Sequence, residues 1–288
     1  MVQTKDFDNE FDNFVMNLDR PLGAGTLKAY KSQFLVIRYN FDIPLFEISN
    51  KQFLDYLESA TTKGGKVLSL NTKKNLLNIM VMVKKQVNEK DYKELYDLRE
   101  KLRGDVNTAI KDKHEKMDLD SMVKYDELVK FLNIQSNTSY IINYLLLYYC
   151  VRNRDLDLTI SEYENEIPDS GNHLLIDKDK IIFVRNDYKT FSTHGQLKFD
   201  INGKTFVKFV KQMHKRGDTK LLKTKALDKE IRGYTMQGLS ETEICKIVVH
   251  NFLMNNKYSE VFEISKRRGT SIDTLLQNYN FKYINADQ

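Results

Sequence analysis

Apolar residues recur at helical spacing through most of the first hundred residues. Intervals of three and four residues predict helices that begin near Thr26, Ser49 and Thr72, and a fourth helix around Tyr92. Lysines lie on the opposite faces of several of these helices, as they do on many solvated helix surfaces. We therefore expect residues 1–103 to form a compact helical domain.

The stretch 104–122 interrupts this pattern. It is polar, densely charged and nearly free of large apolar residues. Such a composition is typical of a linker or of an exposed helix between two domains. We place the domain boundary there and expect a second domain over 123–288.

The second domain contains a strongly apolar segment followed by two arginines. Residues 140–150 are apolar on nearly every face of a helix, so this helix should be the buried spine of the domain. It leads directly into Arg152 and Arg154. An unpaired charge at the end of a buried helix is costly, so these arginines need anionic partners. The partner is either an internal carboxylate, Asp155 or Asp157, or a phosphate.

After residue 174 the pattern becomes that of strands. The segment LLIDKDKIIFV predicts a β-hairpin, and DYKTFSTHGQLKFDI predicts a further extended pair with Lys189 and Thr190 near its turn. Helices are predicted again at 206–214, 240–255 and 259–266. A capping-box pattern at Ser240 introduces the second of these helices. The sequence thus predicts a mainly α fold with a small antiparallel sheet (α+β).

Composition narrows the functional classes only slightly. The net charge of +5 is compatible with a polyanionic partner. Cys150 and Cys245 form no disulfide or metal-binding pattern, which favours a reducing, intracellular location. The longest apolar run, 140–151, is too short to span a bilayer, so no membrane association is expected. The sequence has no Gly-rich phosphate loop and no Cys/His cluster, so we expect neither a nucleotide cofactor nor a metal.

The C-terminal stretch SKRRGTSIDTLLQNY carries candidate chemistry. Lys266, Arg267 and Arg268 lead into Gly269, and positive side chains beside the free N–H groups of a helix start suit a phosphate. Tyr279 follows one short helix later, and tyrosine can act as a covalent nucleophile. The alternative is a basic surface turn followed by a helix whose tyrosine packs on the core. This stretch alone favours the alternative.

The order of these motifs resembles the tyrosine recombinase (phage-integrase) family over nearly the whole chain. The first catalytic arginine of that family follows a buried helix and precedes an acidic residue by three positions, as Arg152 precedes Asp155. The family's catalytic lysine lies on a β-hairpin and is often followed by threonine, as Lys189 is. Its nucleophilic tyrosine follows a glycine by ten residues, as Tyr279 follows Gly269.

Two parts of the sequence depart from the family pattern. The family's second box is His-x-x-Arg, often followed by His, and its best register here is KIVVH at 246–250. Lys246 then replaces the histidine and Val249 replaces the arginine, while His250 is retained. Thr270 stands where the family has a later His or Trp.

The missing second arginine matters because two arginines are the family's usual clamp for the negative charge on the phosphorane oxygens during strand cleavage. Losing one preorganised donor of this kind costs about 3–4 kcal/mol of transition-state stabilisation. Valine donates no hydrogen bond. Either Arg232, Arg267 or Arg268 supplies the guanidinium from another position, or catalysis is impaired.

The resemblance implies an enzyme that cuts and rejoins double-stranded DNA without a cofactor. Tyr279 would form a 3′-phosphotyrosyl bond, Arg152 would bind the non-bridging oxygens and Lys189 would protonate the leaving 5′-oxygen. Lys246 and His250 would complete the catalytic set. The alternative is a recombinase-fold protein that binds DNA without cutting it, in an architectural or regulatory role. A weaker third possibility is a topoisomerase that uses the same chemistry.

The resemblance also implies a separate role in DNA binding and catalysis for each of the two domains. Residues 1–103 would be the helical core-binding domain and 123–288 the tyrosine-recombinase-like catalytic domain, which together clamp the duplex. The DNA contacts expected in the first domain are Lys28, Lys31, Lys73 and Lys74. The family works as tetramers on DNA, so a homo-oligomer is expected.

Overall fold

The computed structural model describes residues 4–19, 21–62, 64–87, 89–115, 123–223 and 227–279. Within these ranges, the side chains of residues 4–6, 24, 89, 91, 111, 113–115, 227 and 277–279 lie outside the description. The chain divides into two compact units, Met1–Lys116 and Met117–Gln288. The division falls inside the predicted boundary segment 104–122. The described part of that segment is helical, which is one of the two forms that its sequence allows.

The first unit is helical. Its helices are α1 (Thr4–Met16), α2 (Ala24–Arg38), α3 (Asn50–Ser59), α4 (Leu70–Val87) and α5 (Glu89–Glu115), with a short 3-10 turn at Leu45–Glu47. Ser49 caps α3 in a capping box with Gln52. Helix α1 was not among the predicted helices. It belongs to the core because Phe11 and Phe14 pack against Phe34 of α2.

The second unit combines helices with a small sheet. Its helices are α6 (Tyr125–Asn133), α7 (Asn137–Tyr149), α8 (Phe191–His194), α9 (Lys204–Lys215), α10 (Leu227–Tyr234), α11 (Glu241–Met254), α12 (Tyr258–Arg268) and α13 (Ile272–Tyr279). Its strands are β1 (Leu158–Glu162), β2 (Asn172–Asp177), β3 (Lys180–Arg185) and β4 (Leu197–Ile201). Helix α7 is buried along most of its length, as its apolar composition predicts.

The predicted mainly α fold with a small sheet is confirmed. The sheet has the strand order β1-β2-β3-β4. Strand β1 pairs with β2 in parallel, and the other neighbours are antiparallel, so the sheet is mixed rather than purely antiparallel. The parallel pair arises because the chain crosses back between β1 and β2 through residues 163–171 before it enters the β2–β3 hairpin.

The prediction of a further extended pair over DYKTFSTHGQLKFDI is wrong for the first half of this segment. Residues 186–196 form a loop that contains α8, and only Leu197–Ile201 is a strand. The side-chain oxygen of Asn172 accepts hydrogen bonds from the backbone N–H groups of Asn186 (3.0 Å) and Asp187 (2.9 Å), which takes these donors out of the ladder. Because β3 and β4 are paired, this loop closes a hairpin, and Lys189 lies in it.

Among the described residues, no helix combines the length and the apolar character that crossing a membrane requires.

Candidate functional site

The C-terminal end of α12 is the place where the candidate segments meet. The last carbonyl groups of a helix have no partner within the helix. Here three side chains that are far from α12 in the sequence donate to three successive carbonyl groups. The pairs are Arg185 to the carbonyl of Arg267, Arg152 to that of Arg268 (2.9 Å), and Thr190 to that of Gly269. We call these donors, Arg152, Arg185 and Thr190, the three-donor cap.

Gly269 is fixed by its backbone and by its neighbours. It ends α12 in the left-handed conformation, with a φ of 62°, which favours glycine. A Cβ atom at this position would lie 2.7 Å from Cε2 of Tyr188 and 3.2 Å from Oγ1 of Thr190. The loop that carries Lys189 therefore lies directly against this glycine.

Arg152 is presented by a sharp turn after the buried helix α7. Cys150 ends α7 in the left-handed region, with a φ of 45°, and Arg152 then caps the 3-10 turn Asn153–Leu156. The backbone N–H of Arg152 donates to Oδ2 of Asp155 (2.8 Å). The Arg152 side chain is half-buried, and its guanidinium donates to the carbonyl at the end of α12.

A buried ion pair between Arg185 and Asp155 supports this turn. Nη2 of Arg185 lies 2.6 Å from Oδ2 of Asp155, and both side chains are 0% exposed. Burial raises the pKa of Asp155, and the charge of Arg185 opposes that rise. Burial lowers the pKa of Arg185 to about 10, and Asp155 opposes that fall. Asp155 thus pairs with an arginine from β3, while it holds Arg152 through the backbone of that residue.

Two further charged residues of this turn, Arg154 within it and Asp157 at its end, form ion pairs inside the second unit. Arg154 forms an ion pair with Asp187, and Lys220 lies 3.6 Å from Asp157. These side chains are exposed, so the pairs contribute little to stability.

The three arginines proposed as substitute phosphate ligands all make intramolecular contacts. Arg268 is 3% exposed, donates to the carbonyl of Cys150 and lies 3.4 Å from Glu241. Arg267 donates to the carbonyl of Tyr148 (3.0 Å) and lies over the ring of Tyr149. Arg232 donates to the carbonyl of Gly238 (2.9 Å). A role for any of them as a phosphate ligand stays a prediction.

Helix α11 carries the residues of the divergent second box. Val249 is fully buried in the core. Lys246 and His250 are half-buried and one helical turn apart, and burial lowers the pKa of His250. The contacts described above bring Arg152, the Lys189 loop and Gly269 together. They do not include Lys246 or His250.

Lys189 is exposed beside Thr190 of the three-donor cap, and Tyr279 is the last residue of α13. Leu275 is fully buried and anchors α13 to the core of the second unit. The side chain of Tyr279 lies outside the described residues. Its backbone comes ten residues after Gly269, at the end of the helix that starts from the capped turn.

The lysines expected to contact DNA in the first unit differ in their surroundings. Lys28 is exposed on α2. Lys31 forms an ion pair with Asp8 (2.7 Å), which raises the pKa of this lysine. Lys73 and Lys74 are half-buried on α4. Their role in DNA binding stays a prediction.

Arg185 is the residue of this site that the sequence interpretation overlooked. It ends the apolar strand KIIFVR, where a charged side chain needs a buried partner. The same rule drew attention to Arg152 and, applied to β3, would have singled out Arg185. Within the described part of the chain, no group of three or more His, Cys, Asp or Glu side chains is arranged to hold a metal.

The comparisons with known proteins include a similarity to a recombinase among the solved structures. No protein-family model and no curated protein matches the chain. Among solved structures, the chain is similar to the crystal structure of XerA recombinase, with 12% sequence identity and a TM-score of 0.36. The match covers 96% of this chain and 94% of that chain.

Proposed function

We propose that this chain is a DNA-binding protein of the tyrosine recombinase type that cuts and rejoins DNA through Tyr279. The observation that supports this proposal is the contact between three distant segments at the end of α12. Arg152 and the loop with Lys189 both contact the turn at the end of α12, and Tyr279 follows on the next helix.

The proposed chemistry uses side chains of this chain alone. The hydroxyl of Tyr279 loses its proton to water as its oxygen attacks a phosphodiester phosphorus, the bond to the 5′-oxygen breaks, and a 3′-phosphotyrosyl bond forms. The half-buried guanidinium of Arg152 binds the non-bridging oxygens. Exposed Lys189 gives a proton to the leaving 5′-oxygen. Attack by a 5′-hydroxyl on the phosphotyrosyl bond reverses the steps and rejoins the strand.

A second candidate is a protein that binds DNA through the same surface and does not cut it. Three observations favour this candidate. Val249 is buried in the core, and the guanidinium groups of Arg185 and Arg268 are buried with internal partners. A phosphate at Arg152 would then lack a donor that the chemistry uses, at a cost of about 3–4 kcal/mol in the transition state.

A covalent-trapping experiment separates the two candidates. The full chain is incubated at low salt with a pool of nicked duplexes of random sequence, in which the cleaved fragment diffuses away. An enzyme gives a DNA adduct that resists denaturant in the wild type and is absent in Tyr279→Phe. Tyr258→Phe is the matched control, because Tyr258 is an exposed tyrosine at the start of α12.

Each outcome of this experiment has a defined meaning. DNA binding without an adduct supports the non-cutting protein. An adduct that persists in Tyr279→Phe shows that another residue is the nucleophile. No binding to any duplex at low salt rejects both candidates.

A further inference from the structure

We propose that Arg185 is a positioning residue that holds Arg152, the Lys189 loop and the turn before α13 in one fixed arrangement. Its guanidinium contacts three separate parts of the site. Nη2 lies 2.6 Å from Oδ2 of Asp155, Nη1 donates to the carbonyl of Arg267, and Cζ lies 4.6 Å from the ring centre of Tyr188. A planar guanidinium presents its donors in a fixed geometry, so it sets these three parts relative to one another.

The contacts of Arg185 reach Arg152 and Lys189 through one intermediate residue each, and they reach the end of α12 directly. Asp155 accepts from Arg185 and, through the same oxygen, from the backbone N–H of Arg152. Tyr188 precedes Lys189 directly. The carbonyl of Arg267 is followed by the carbonyl that accepts from Arg152. A shift of Arg185 would therefore move all three segments.

Stability alone is a weak reason for this arrangement. A fully buried ion pair contributes little net stability, because desolvation offsets most of the attraction between the charges. An apolar pair of similar volume would pack the end of β3 at least as well. The ion pair instead fixes the orientation of the groups around it, because Asp155 and the carbonyl of Arg267 each accept a hydrogen bond from a donor at a defined position.

The test removes both buried charges together, because removing Arg185 alone would leave Asp155 as an unpaired buried charge. The variant is Arg185→Met with Asp155→Asn, in which the asparagine oxygen still accepts from the N–H of Arg152. The control is Asn143→Leu, which removes another buried side chain that donates to a backbone carbonyl, that of Tyr234 (2.9 Å).

The first measurement is hydrogen exchange of the full chain without DNA, which does not depend on the proposed function. We expect amides of 186–196 and 269–276 to exchange about tenfold faster or more in the double variant than in the control. Equal exchange in both proteins would overturn the proposal. If the double variant does not fold, Arg185→Lys replaces it. Lysine keeps the charge opposite Asp155 but lacks the planar fork, and the same expectation applies to the same amides.

The second measurement rests on the proposed function and uses the nicked substrates described above. At saturating DNA, the rate of adduct formation should fall about tenfold or more in the variant, while the DNA concentration for half-saturation changes less than about twofold. The control should keep both values. Faster exchange with an unchanged adduct rate would show that Arg185 is structural only. If the wild type gives no adduct, the proposed cutting activity fails, and the exchange experiment still decides whether Arg185 holds the three segments.

Discussion

Gly269 shows how one residue joins the proposed catalytic segments. Its left-handed backbone lets α12 end and α13 start, and its missing side chain lets Tyr188 and Thr190 approach the turn. The sequence singled out this glycine through its distance from Tyr279. Its contact with the Lys189 loop depends on residues about 80 positions away, which no local pattern reports.

Replacing this glycine tests the close approach. Gly269→Ala adds backbone strain of about 1–2 kcal/mol and an overpacking cost of about 1–3 kcal/mol against Tyr188. Gly217→Ala is the matched control, because Gly217 also has a positive φ of 82° but has open space where a Cβ would lie. Urea unfolding, followed at peptides of the second unit by hydrogen exchange, should show a larger loss for Gly269→Ala. Equal losses would mean that Tyr188 moves aside at little cost.

The sequence singled out the candidate residues Arg152 and Lys189 but not the buried residue that supports them. Arg152 and Lys189 lie in or beside recognisable motifs, and the contacts around Gly269 bring their segments together. Arg185 pairs with Asp155 across 30 positions, and a charged residue at the end of an apolar strand does not say which partner it meets. In the register of the second box, Val249 stands in place of an arginine. Its apolar side chain is buried in the core.

Elements were predictable where their signals were local. The helix start at Ser49, the capping box at Ser240 and the apolar helix α7 follow from local sequence patterns. The segment KTFSTHG contains β-branched and aromatic residues that favour a strand, yet it forms a loop. Just before this segment, the backbone N–H groups of Asn186 and Asp187 donate to the side chain of Asn172, which lies 14 and 15 positions earlier in the sequence. Local propensity cannot anticipate such a distant partner.

The capping box of α11 gives a prediction at this scale. Ser240 accepts from the N–H of Glu243 (3.3 Å), and the Glu243 carboxylate accepts from the hydroxyl (2.6 Å) and the N–H (2.7 Å) of Ser240. Ser240→Ala should cost about 1 kcal/mol at neutral pH. Ser259→Ala, at an exposed position in the first turn of α12, is the control and should cost less. Urea unfolding monitored at α11 peptides measures the difference.

The same box should respond to acid. Hydrogen bonds from Ser240 lower the pKa of Glu243 below its ordinary value of 4.5. A carboxyl group with a lowered pKa stabilises the folded state above 4.5, and this contribution is lost as the pH falls through the folded-state pKa. The gap between wild type and Ser240→Ala should therefore narrow as the pH falls below 4.5. A gap that stays constant would mean that the hydroxyl does not bond the ionised carboxylate.

At the scale of the whole molecule, the proposed DNA binding has to come from the placement of charge. A net charge of +5 on 288 residues is small, and several lysines are engaged within the first unit. On α4, Lys84 is buried and donates to the carbonyl of Phe46, and Lys85 pairs with Asp19. Lys73 and Lys74 on the same helix are better candidates for phosphate contacts. The roles of the two units as core-binding and catalytic domains, and assembly as a tetramer, stay predictions.

The salt dependence of binding tests the placement of these charges. Each lysine that neutralises a DNA phosphate contributes about 0.9 to the slope of log K against log salt concentration. If Lys73 and Lys74 contact phosphates, the double variant Lys73→Gln with Lys74→Gln should bind more weakly at low salt. Its slope should be shallower by about 2, because two released counterions are lost.

A control of equal charge separates local contacts from the overall field. Lys51→Gln with Lys93→Gln removes the same net charge from exposed positions on α3 and α5. We expect this pair to leave the slope near the wild-type value, since charges that do not touch the duplex release few counterions. Fluorescence anisotropy with one duplex over a salt series measures all three slopes. An equal reduction of the slope in both variants would mean that the first unit attracts DNA through its net charge. Lys73 and Lys74 of α4 would then not make specific phosphate contacts.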